Sequence, residues 1–268
     1  MTKNSEKTTS VTWQVPDYVT QYWAGKTKNY CVVIPVINEG KRIENLLKKM
    51  LVNNIHTLAD IIIVDGGSTD GSLSNKLIKD QKVSALLIKT GPGRLSAQLR
   101  CAYAFALQNK YKGIVTIDGN NKDDPAAIGN FIAALEQGID FVQASRFISG
   151  GVSENIPLLR NLAIRLIHAP MLAFFSGFHW TDTTQGFRAY SSKMLSDNKI
   201  SIFRNIFDGY ELLAYLSYCA PKMGFRCLEL PTSRRYPRGQ VPTKIRSVSG
   251  NLAILVVLLK ACLGKYNI

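Results

Sequence analysis

Short, almost wholly apolar segments recur along the first half of the sequence, and each ends at a polar loop. They are Tyr30–Val36, Ile61–Val64, Ala85–Ile88, Gly113–Ile117 and Asp140–Ala144. Stretches with apolar residues at helical spacing, such as Arg42–Val52 and Ser96–Leu107, lie between them. Short apolar runs that alternate with helices are typical of a parallel sheet covered on both faces. The sequence therefore predicts an α/β fold with a mostly parallel central sheet and helices on both faces.

Polar residues directly follow three of these apolar segments. Asn38 and Glu39 come after the first segment, Asp65 after the second and Asp118 after the fourth. In sheets of this kind, ligands bind beyond the carboxyl ends of the strands. We therefore expect these four residues to converge on one crevice.

Two of the polar loops carry side chains that can bind a phosphate-bearing ligand. The loop of residues 65–70 is rich in glycine and has an acid at each end. It matches neither the dinucleotide-binding pattern GxGxxG nor the P-loop pattern, so a P-loop ATPase is disfavoured. In the next loop, Asp118 and Asn120 flank Gly119, and oxygen-bearing side chains at this spacing can chelate a hard cation bound to diphosphate. Helix capping accounts for Asp124 but not for Asp118.

Six motifs, in order along the chain, resemble those of the family-2 glycosyltransferases with a GT-A fold. They are VVIPVINEG, IIIVDGGSTDGS, TGPGRLSAQ, VTIDGNNKDDP, ASRFISGG and DTTQGFRAY. Within that family the chain is most similar to the dolichyl- or polyprenyl-phosphate sugar synthases, of the dolichol-phosphate mannosyltransferase type. The resemblance spans roughly residues 30–246. It implies transfer of a sugar, with inversion, from a GDP- or UDP-sugar to a polyprenyl or dolichyl phosphate.

The resemblance also assigns site residues. The nucleotide-sugar-binding residues it implies are Pro35, Asn38, Glu39, Asp65, Gly91, Arg94, Asp118 and Lys122. The acceptor or phosphate-binding residues are Arg146, Arg160, Arg188, Arg238 and Lys244. The catalytic residues are Asp118, Asp182 and Arg188, with Asp182 expected to orient Arg188 or, less favoured, to act as a base. Asp118 and Asn120 are the implied ligands of Mg²⁺ or Mn²⁺, with Asp123 as a further candidate.

Three residues depart from the family pattern. Gly66 and Asn120 stand where relatives carry acids, and Lys122 stands where relatives often place a metal-ligating Gln. Two accounts follow from these departures. Asp118 holds the metal with help from Asp123, or Lys122 itself neutralises the diphosphate and makes the enzyme less dependent on metal. We favour the first account slightly.

The chain is strongly basic, with 33 Lys and Arg against 19 Asp and Glu and a formal net charge of +14. Most of the excess lies after residue 140, and its densest stretch holds Arg234, Arg235, Arg238, Lys244 and Arg246. Such a charge points to a partner that carries phosphate. The sequence has no RNA-binding aromatic motif, zinc finger or basic zipper, so we expect no nucleic-acid partner.

Two apolar segments with basic flanks suggest a membrane surface as a partner. Pro157–Trp180 contains Arg160 and Arg165, and Asn251–Leu263 is apolar nearly all round. Both fit helices that lie on an anionic membrane, although core helices or a subunit contact would have the same composition. We predict neither a signal peptide nor a membrane span, and hence a peripheral location on the cytoplasmic face of a membrane.

The predicted organisation has three parts. Residues 1–28 form an N-terminal arm, residues 29–246 the glycosyltransferase domain, and residues 247–268 an apolar, interfacial C-terminal helix. Within the domain, residues 29–140 form the nucleotide-binding half and residues 141–246 the acceptor half. Two other functions stay open: transfer to a saccharide hydroxyl in surface polysaccharide synthesis, which needs Asp182 as a base, and inactive binding of a nucleotide sugar. The oligomeric state is left open.

Overall fold

The structure is a computed structural model that describes residues 13–237 and 248–268. Two of the predicted phosphate-binding residues, Arg238 and Lys244, lie outside the described residues.

Eight strands form the central sheet. They are β1 (Tyr18–Trp23), β2 (Tyr30–Val36), β3 (Asp60–Asp65), β4 (Ala85–Lys89), β5 (Gly113–Thr116), β6 (Phe141–Ser145), β8 (Arg188–Ser191) and β9 (Cys227–Pro231). Their spatial order is β1-β4-β3-β2-β5-β8-β6-β9. β1 runs antiparallel to β4, and β8 runs antiparallel between β5 and β6, whereas all other neighbours are parallel. The predicted α/β fold with a mostly parallel sheet is confirmed.

Two further strands form a small separate sheet. β7 (Val152–Glu154) and β10 (Ser233–Arg235) pair in parallel. An isolated bridge between Asp123 and Arg234 joins this sheet to the loop after β5. The small sheet therefore brings Arg234 onto the Asp118 loop.

Helices cover both faces of the central sheet. They are α1 (Lys41–Val52), α2 (Ile55–Leu58), α3 (Asn75–Asp80), α4 (Leu95–Gln108), α5 (Ile128–Glu136), α6 (Leu158–Ala163), α7 (Ala169–Ser176), α8 (Ser192–Leu195), α9 (Glu211–Lys222) and α10 (Val248–Cys262). Alternate residues of β2 point to opposite faces, as the pleat of a strand requires. Val33 joins the core that contains α4, and Val32 joins the core that contains α1 and α5.

The predicted N-terminal arm contributes a strand to the sheet. β1 lies at the edge, and the backbone N–H groups of Thr90 and Gly91 both donate to the carbonyl of Asp17. Ahead of it, the ring of Trp13 stacks on Phe203 at 4.1 Å between centroids. β1 is rich in aromatic and β-branched residues, a strand signal that the polar surroundings obscured.

One continuous helical stretch, Leu158–Ser176, joins α6 to α7 through a π-helical turn at Ile164–His168. Pro170 has no N–H to donate, which is a physical reason for the change of hydrogen-bond pattern just before it. Within residues 13–237 and 248–268, this is the one helix long and apolar enough to cross a bilayer, by length and composition alone. The sequence predicted no span because no uncharged apolar run reaches about 20 residues, and Leu166–Thr181 is broken by Pro170 and Gly177.

Most large apolar side chains of this stretch face solvent. Leu159 and Phe174 are more than 80% exposed, and the other exposed ones are Leu158, Leu162, Leu166 and Ile167. α10 packs against α9 and buries Leu258, Ala261 and Cys262. The predicted interfacial C-terminal helix is therefore partly a core helix, with Leu252, Val256, Leu259 and Leu263 left exposed.

Candidate functional site

The loops after β2 and β3 are tied to each other at the carboxyl edge of the sheet. Asn38 has a positive φ of 50°, and its backbone N–H donates to Ser68 Oγ at 2.9 Å. In return, the N–H of Thr69 donates to Asn38 Oδ1 at 2.8 Å. Asp65 is buried and accepts hydrogen bonds from the N–H and hydroxyl of Ser68. These bonds give Asn38 and Asp65 a shared loop structure beside the crevice.

The side chain of Gln98 explains why residue 66 of this loop is a glycine rather than the acid found in relatives. A Cβ atom at Gly66 would lie 2.8 Å from Gln98 Nε2. That amide donates to the backbone carbonyls of Val36 and Val64, so it joins the ends of β2 and β3. Gln98 therefore takes the space of a side chain at position 66, a role that the sequence pattern did not indicate.

The loop that contains Gly91 and Arg94 packs against two other parts of the chain. Gly91 contacts Asp17, and a Cβ atom there would lie 2.7 Å from the Asp17 nitrogen. The N–H of Arg94 donates to the carbonyl of Asp208 at 2.9 Å, while its side chain is exposed. Gly91 thus faces the N-terminal segment, whereas Arg94 is free to reach a ligand.

A glycine just before β8, the strand next to β5, makes room for the Asp118 carboxylate. Asp118 follows β5, and Gly186 lies just before β8. A Cβ atom at Gly186 would collide with Asp118 Oδ1 and also lie 2.9 Å from its Cγ. Below the same loop, a Cβ at Gly119 would lie 3.1 Å from the carbonyl oxygen of the buried Pro35. The Asp118 loop is therefore fitted closely on both sides.

Arg234 joins the two acids of the Asp118 loop. Its Nη1 lies 2.5 Å from Asp123 Oδ2, and its Nη2 lies 3.4 Å from Asp118 Oδ2. Although burial favours its neutral form, the charges of Asp123 and Asp118 raise the pKa of Arg234 above its usual value. In the sequence, the only signal for Arg234 is its place in the basic stretch.

Lys122 is buried beside this pair. Its Nζ lies 5.0 Å from the ring centroid of Tyr236, which is cation–π geometry. Burial, together with the charge of Arg234, lowers the pKa of Lys122 to about 8. Burial alone would raise the pKa of Tyr236, but the charges of Arg234, Arg146 and Arg160 lower it to about 8.

Tyr210 is close enough to Arg94, Arg160 and Asp118 to feel the charge of each. Burial raises the pKa of Tyr210, Asp118 raises it further, and the two arginines oppose them. Arg160 lies on α6 and also acts on Tyr236 across the crevice. The structure therefore brings Arg160 to the same site as the Asp118 loop, rather than leaving it on an isolated solvated face.

The acid predicted to orient Arg188 binds Arg146 instead. Arg146 Nε lies 2.6 Å from Asp182 Oδ2, and Arg146 Nη2 lies 3.2 Å from Asp182 Oδ1. Burial alone would raise the pKa of Asp182, but the charge and hydrogen bonds of Arg146 lower it below its ordinary value. The expected Asp182–Arg188 pair is therefore corrected to an Asp182–Arg146 pair.

Arg188 is enclosed between the sheet and α9. Only 1% of the residue is exposed. Its guanidinium donates to the carbonyls of Thr183, Gln185 and Leu213 and to the hydroxyl of Ser217. With these donors used inside the protein, Arg188 cannot bind an acceptor phosphate in this conformation, and its predicted catalytic and acceptor roles are corrected to a structural one.

The predicted metal ligands do not fit a divalent cation. Asn120 donates to Asp118 Oδ2 and accepts from the N–H of Lys122, while Asp123 is paired with Arg234. In the described parts of the chain, no three His, Cys, Asp or Glu side chains form a metal-binding group. Because two cationic side chains already lie beside Asp118, a further positive ion there meets repulsion rather than free carboxylates.

The fold defines the class of the protein. A solved structure of glucosyl-3-phosphoglycerate synthase from Mycobacterium tuberculosis with Mg²⁺ and uridine diphosphate is similar, with a TM-score of 0.62 and 17% identity. The match covers 90% of this chain and 80% of that one. A complex of the same synthase holds Mn²⁺ with uridine diphosphate, so divalent metals occur in proteins of this fold. The chain has the GT-A glycosyltransferase fold, as predicted.

The chain belongs to glycosyl transferase family 2, whose pattern matches residues 31–199. It is 28% identical to polyprenol monophosphomannose synthase of Mycolicibacterium smegmatis over 211 residues, which cover 76% of this chain and 77% of that protein. It is 29% identical to dolichyl-phosphate hexose transferase of Haloferax volcanii over 212 residues, covering 77% of this chain and 86% of the relative. The protein is therefore a glycosyltransferase with polyprenyl-phosphate sugar transferases among its relatives.

Proposed function

We propose that the protein transfers a sugar from a GDP- or UDP-sugar to a polyprenyl or dolichyl phosphate, with inversion at the anomeric carbon. One observation carries this proposal. Arg160, which acts electrostatically on the Asp118 crevice, lies on the same helix as the exposed Leu158, Leu159 and Leu162. A phosphate-binding cation beside an exposed apolar surface suits an acceptor that has a phosphate head and a hydrocarbon tail.

The proposed reaction is a direct displacement. An oxygen of the acceptor phosphate forms a bond to the anomeric carbon, and the bond from that carbon to the donor diphosphate breaks with its electron pair on the diphosphate. A phosphate oxygen is already anionic near neutral pH, so a strong general base is not needed. The protein must instead position the two phosphates and stabilise the charge of the leaving diphosphate.

The crevice offers residues for both ends of this reaction. On the donor side we assign Asn38, Glu39, Asp65, Arg94, Asp118 and Lys122, over the buried Pro35 and Gly91. On the acceptor side we assign Arg160, and Arg238 and Lys244 stay predictions. Arg146 is buried and bonded to Asp182, Thr184 and Tyr236, so its predicted phosphate-binding role is corrected to support of the site. Asp118 and Lys122 lie where the diphosphate would leave, and the guanidinium group of Arg160 can bind a phosphate in a bidentate manner.

The state of Asp182 argues against a hydroxyl acceptor. A saccharide hydroxyl needs a base to take its proton, and Asp182 was the candidate. Its carboxylate is fully buried, holds two hydrogen bonds from Arg146 and has a lowered pKa, so it is a poor proton acceptor near neutral pH. A phosphate acceptor avoids this requirement.

A membrane surface is the second part of the proposal. The exposed apolar side chains of Leu158–Ser176 and the net charge of +14 support peripheral binding to an anionic membrane. We place the protein on the cytoplasmic face, where this helix would lie in the interface and bring the lipid phosphate to Arg160.

A transfer assay tests the proposal. Purified protein is incubated with sugar-labelled UDP-glucose or GDP-mannose and undecaprenyl or dolichyl phosphate in detergent. We expect an acid-labile labelled lipid that partitions into organic solvent with one of these donors. Transfer of label only to saccharides, or no transfer with a wider panel of nucleotide sugars, contradicts the proposal.

A pair of glycine variants links this activity to the crevice. Gly186→Ala places a methyl group against the Asp118 carboxylate and should reduce turnover about 100-fold, since small displacements of reacting groups cost that much. Gly129→Ala is the control, because its added Cβ lies 3.6 Å from Leu58 Cδ1 in ordinary contact and belongs to helix α5. Equal activity of the two variants would show that Asp118 does not take part in the reaction.

A further inference from the structure

The predicted metal-binding loop is already neutralised by side chains of the protein. Asp118 and Asp123 contribute two negative charges, and Arg234 and Lys122 contribute two positive charges. Arg234 contacts both acids, at 3.4 Å and 2.5 Å, and both Arg234 and Lys122 are about 5% exposed. A divalent cation added to this cluster would leave an excess of two positive charges in a buried setting, where like charges repel strongly.

Main-chain bonds hold the backbone of Arg234 beside the Asp118 loop. Asp123 and Arg234 form a β-bridge, and the N–H of Arg235 donates to the carbonyl of Lys122 at 2.8 Å. The N–H of Asp124 donates to the carbonyl of Ser233 at 3.1 Å. Because the strand of Arg234 is joined to the Asp118 loop by these bonds, the backbone of Arg234 is held beside the loop and its guanidinium is within reach of both acids.

We propose that this site binds the donor diphosphate without a divalent cation, and that Lys122 and Arg234 supply the positive charge around Asp118. The inference rests on the proposed function, since it concerns how the donor is held. We assign Lys122, which lies in the Asp118 loop, to contact with the diphosphate. Arg234 is a positioning residue that fixes Asp118 and Asp123 and keeps their charge from repelling the donor.

A site without a metal needs other positive groups to stabilise the leaving diphosphate. When the bond between the anomeric carbon and the diphosphate breaks, the electron pair stays on a diphosphate oxygen. Lys122 then meets that charge directly, with Arg94 and Arg160 as the other cations around the crevice. Because Lys122 and Arg234 already offset Asp118 and Asp123, Arg94 and Arg160 are the cations left to balance the charge of the donor diphosphate without a metal.

Nucleotide binding provides the test without a need for turnover. UDP and GDP are each titrated into metal-stripped protein by calorimetry, once with EDTA and once with Mn²⁺. In parallel, the electron paramagnetic resonance signal of free Mn²⁺ is followed with nucleotide alone and with nucleotide plus protein. We expect a dissociation constant that differs less than about threefold between EDTA and Mn²⁺, and no loss of the free Mn²⁺ signal caused by the protein.

Variants of the two cations complete the experiment. Lys122→Met should weaken nucleotide binding in EDTA at least about tenfold, as expected for loss of a charged hydrogen-bond donor. Arg234→Lys should retain more affinity than Arg234→Met, with circular dichroism to confirm that both are folded. Lys193→Met is the control, because Lys193 is exposed on α8 at the opposite edge of the sheet.

The outcomes separate this inference from the proposed function. Binding that needs Mn²⁺, with at least tenfold loss in EDTA, overturns the metal-free site but leaves the glycosyltransferase proposal standing. A protein that binds neither nucleotide in either condition overturns the donor assignment and this inference with it. The wild-type comparison decides between these outcomes even where a variant fails to fold.

Discussion

Arg146 and Asp182 form an ion pair whose side chains are almost completely buried, 1% and 0% exposed. Asp182 also accepts from Gln185 Nε2, and the backbone N–H of Asp182 donates to Glu229. A buried pair adds little stability compared with an apolar pair, but removing one partner leaves the other charge buried and unpaired. This pair is therefore sensitive to substitution without being a source of large stability.

Substitution of Asp182 should show how much stability is lost when Arg146 is left buried without a counter-charge. Asp182→Asn leaves the Arg146 guanidinium buried without a counter-charge and should lower the free energy of unfolding by about 3–5 kcal/mol at pH 7. Urea unfolding measures it. Glu154→Gln is the control, because the Glu154–Arg235 pair is solvent-exposed and should change stability by less than about 1 kcal/mol. Equal stability of both variants at pH 7 would contradict this interpretation.

The same variant should alter the response to acid. Because the pKa of Asp182 is lowered in the fold, its contribution is fully present above the unfolded value of 3.8 and is lost as the pH falls through the folded value. The wild type should therefore lose more unfolding free energy than Asp182→Asn between pH 5 and pH 3. A series of urea titrations at different pH values checks this. If the unfolding free energies of the two proteins change in parallel with pH, the Asp182–Arg146 pair does not contribute to acid sensitivity.

At the scale of elements, strand ends were predictable and the partners of side chains were not. Asn38, Asp65 and Asp118 could be placed at one edge because parallel strands put their carboxyl ends together. The motif that contains Arg188 gave no indication that its strand runs antiparallel in the middle of the sheet, with its guanidinium facing α9. Arg234 reaches the Asp118 loop only through the small β7–β10 sheet, a long-range pairing that local pattern does not encode.

The Leu158–Ser176 helix carries the prediction for membrane binding. The double variant Leu159→Glu with Phe174→Glu replaces its two most exposed apolar side chains. Each loses about 1.5–3 kcal/mol of apolar burial in the lipid, so affinity for anionic vesicles should fall about 100-fold or more. Flotation with vesicles that contain phosphatidylglycerol measures it at physiological salt.

Val52→Glu serves as the matched control for the helix variant. Val52 is 81% exposed but lies on α1, away from the Leu158–Ser176 helix, so vesicle binding should stay within about twofold of wild type. All three proteins should unfold at similar temperatures, because exposed substitutions change stability little. If the double variant floats with vesicles as well as the wild type does, this helix is not part of the membrane-binding surface.

At the scale of the whole molecule, one segment, residues 201–210, ties together distant parts of the chain. Its Phe203 stacks on Trp13, and Arg204 donates to the carbonyl of Tyr266 near the C-terminus. Its Asp208 accepts from the N–H of Arg94, and Tyr210 lies beside the crevice. The N-terminal segment, the C-terminal end and the donor loop are therefore supported by the same stretch, which couples the edge of the sheet to the site.

Removal of the N-terminal segment tests this coupling. Deletion of residues 1–23 takes away β1, the stack on Phe203 and the Gln14 carbonyl that accepts from the buried Arg100. Arg100 keeps Asn205 as a partner, and the loss of one hydrogen bond to its charged group should lower the unfolding free energy by about 1.5–3 kcal/mol. The deletion also leaves β4 as an unpaired edge strand that favours aggregation.

Urea unfolding and light scattering measure both effects, and deletion of residues 1–12 is the control because it keeps these contacts. If the longer deletion unfolds like the shorter one, β1 contributes nothing to the stability of the sheet, and the proposed coupling through residues 201–210 is wrong.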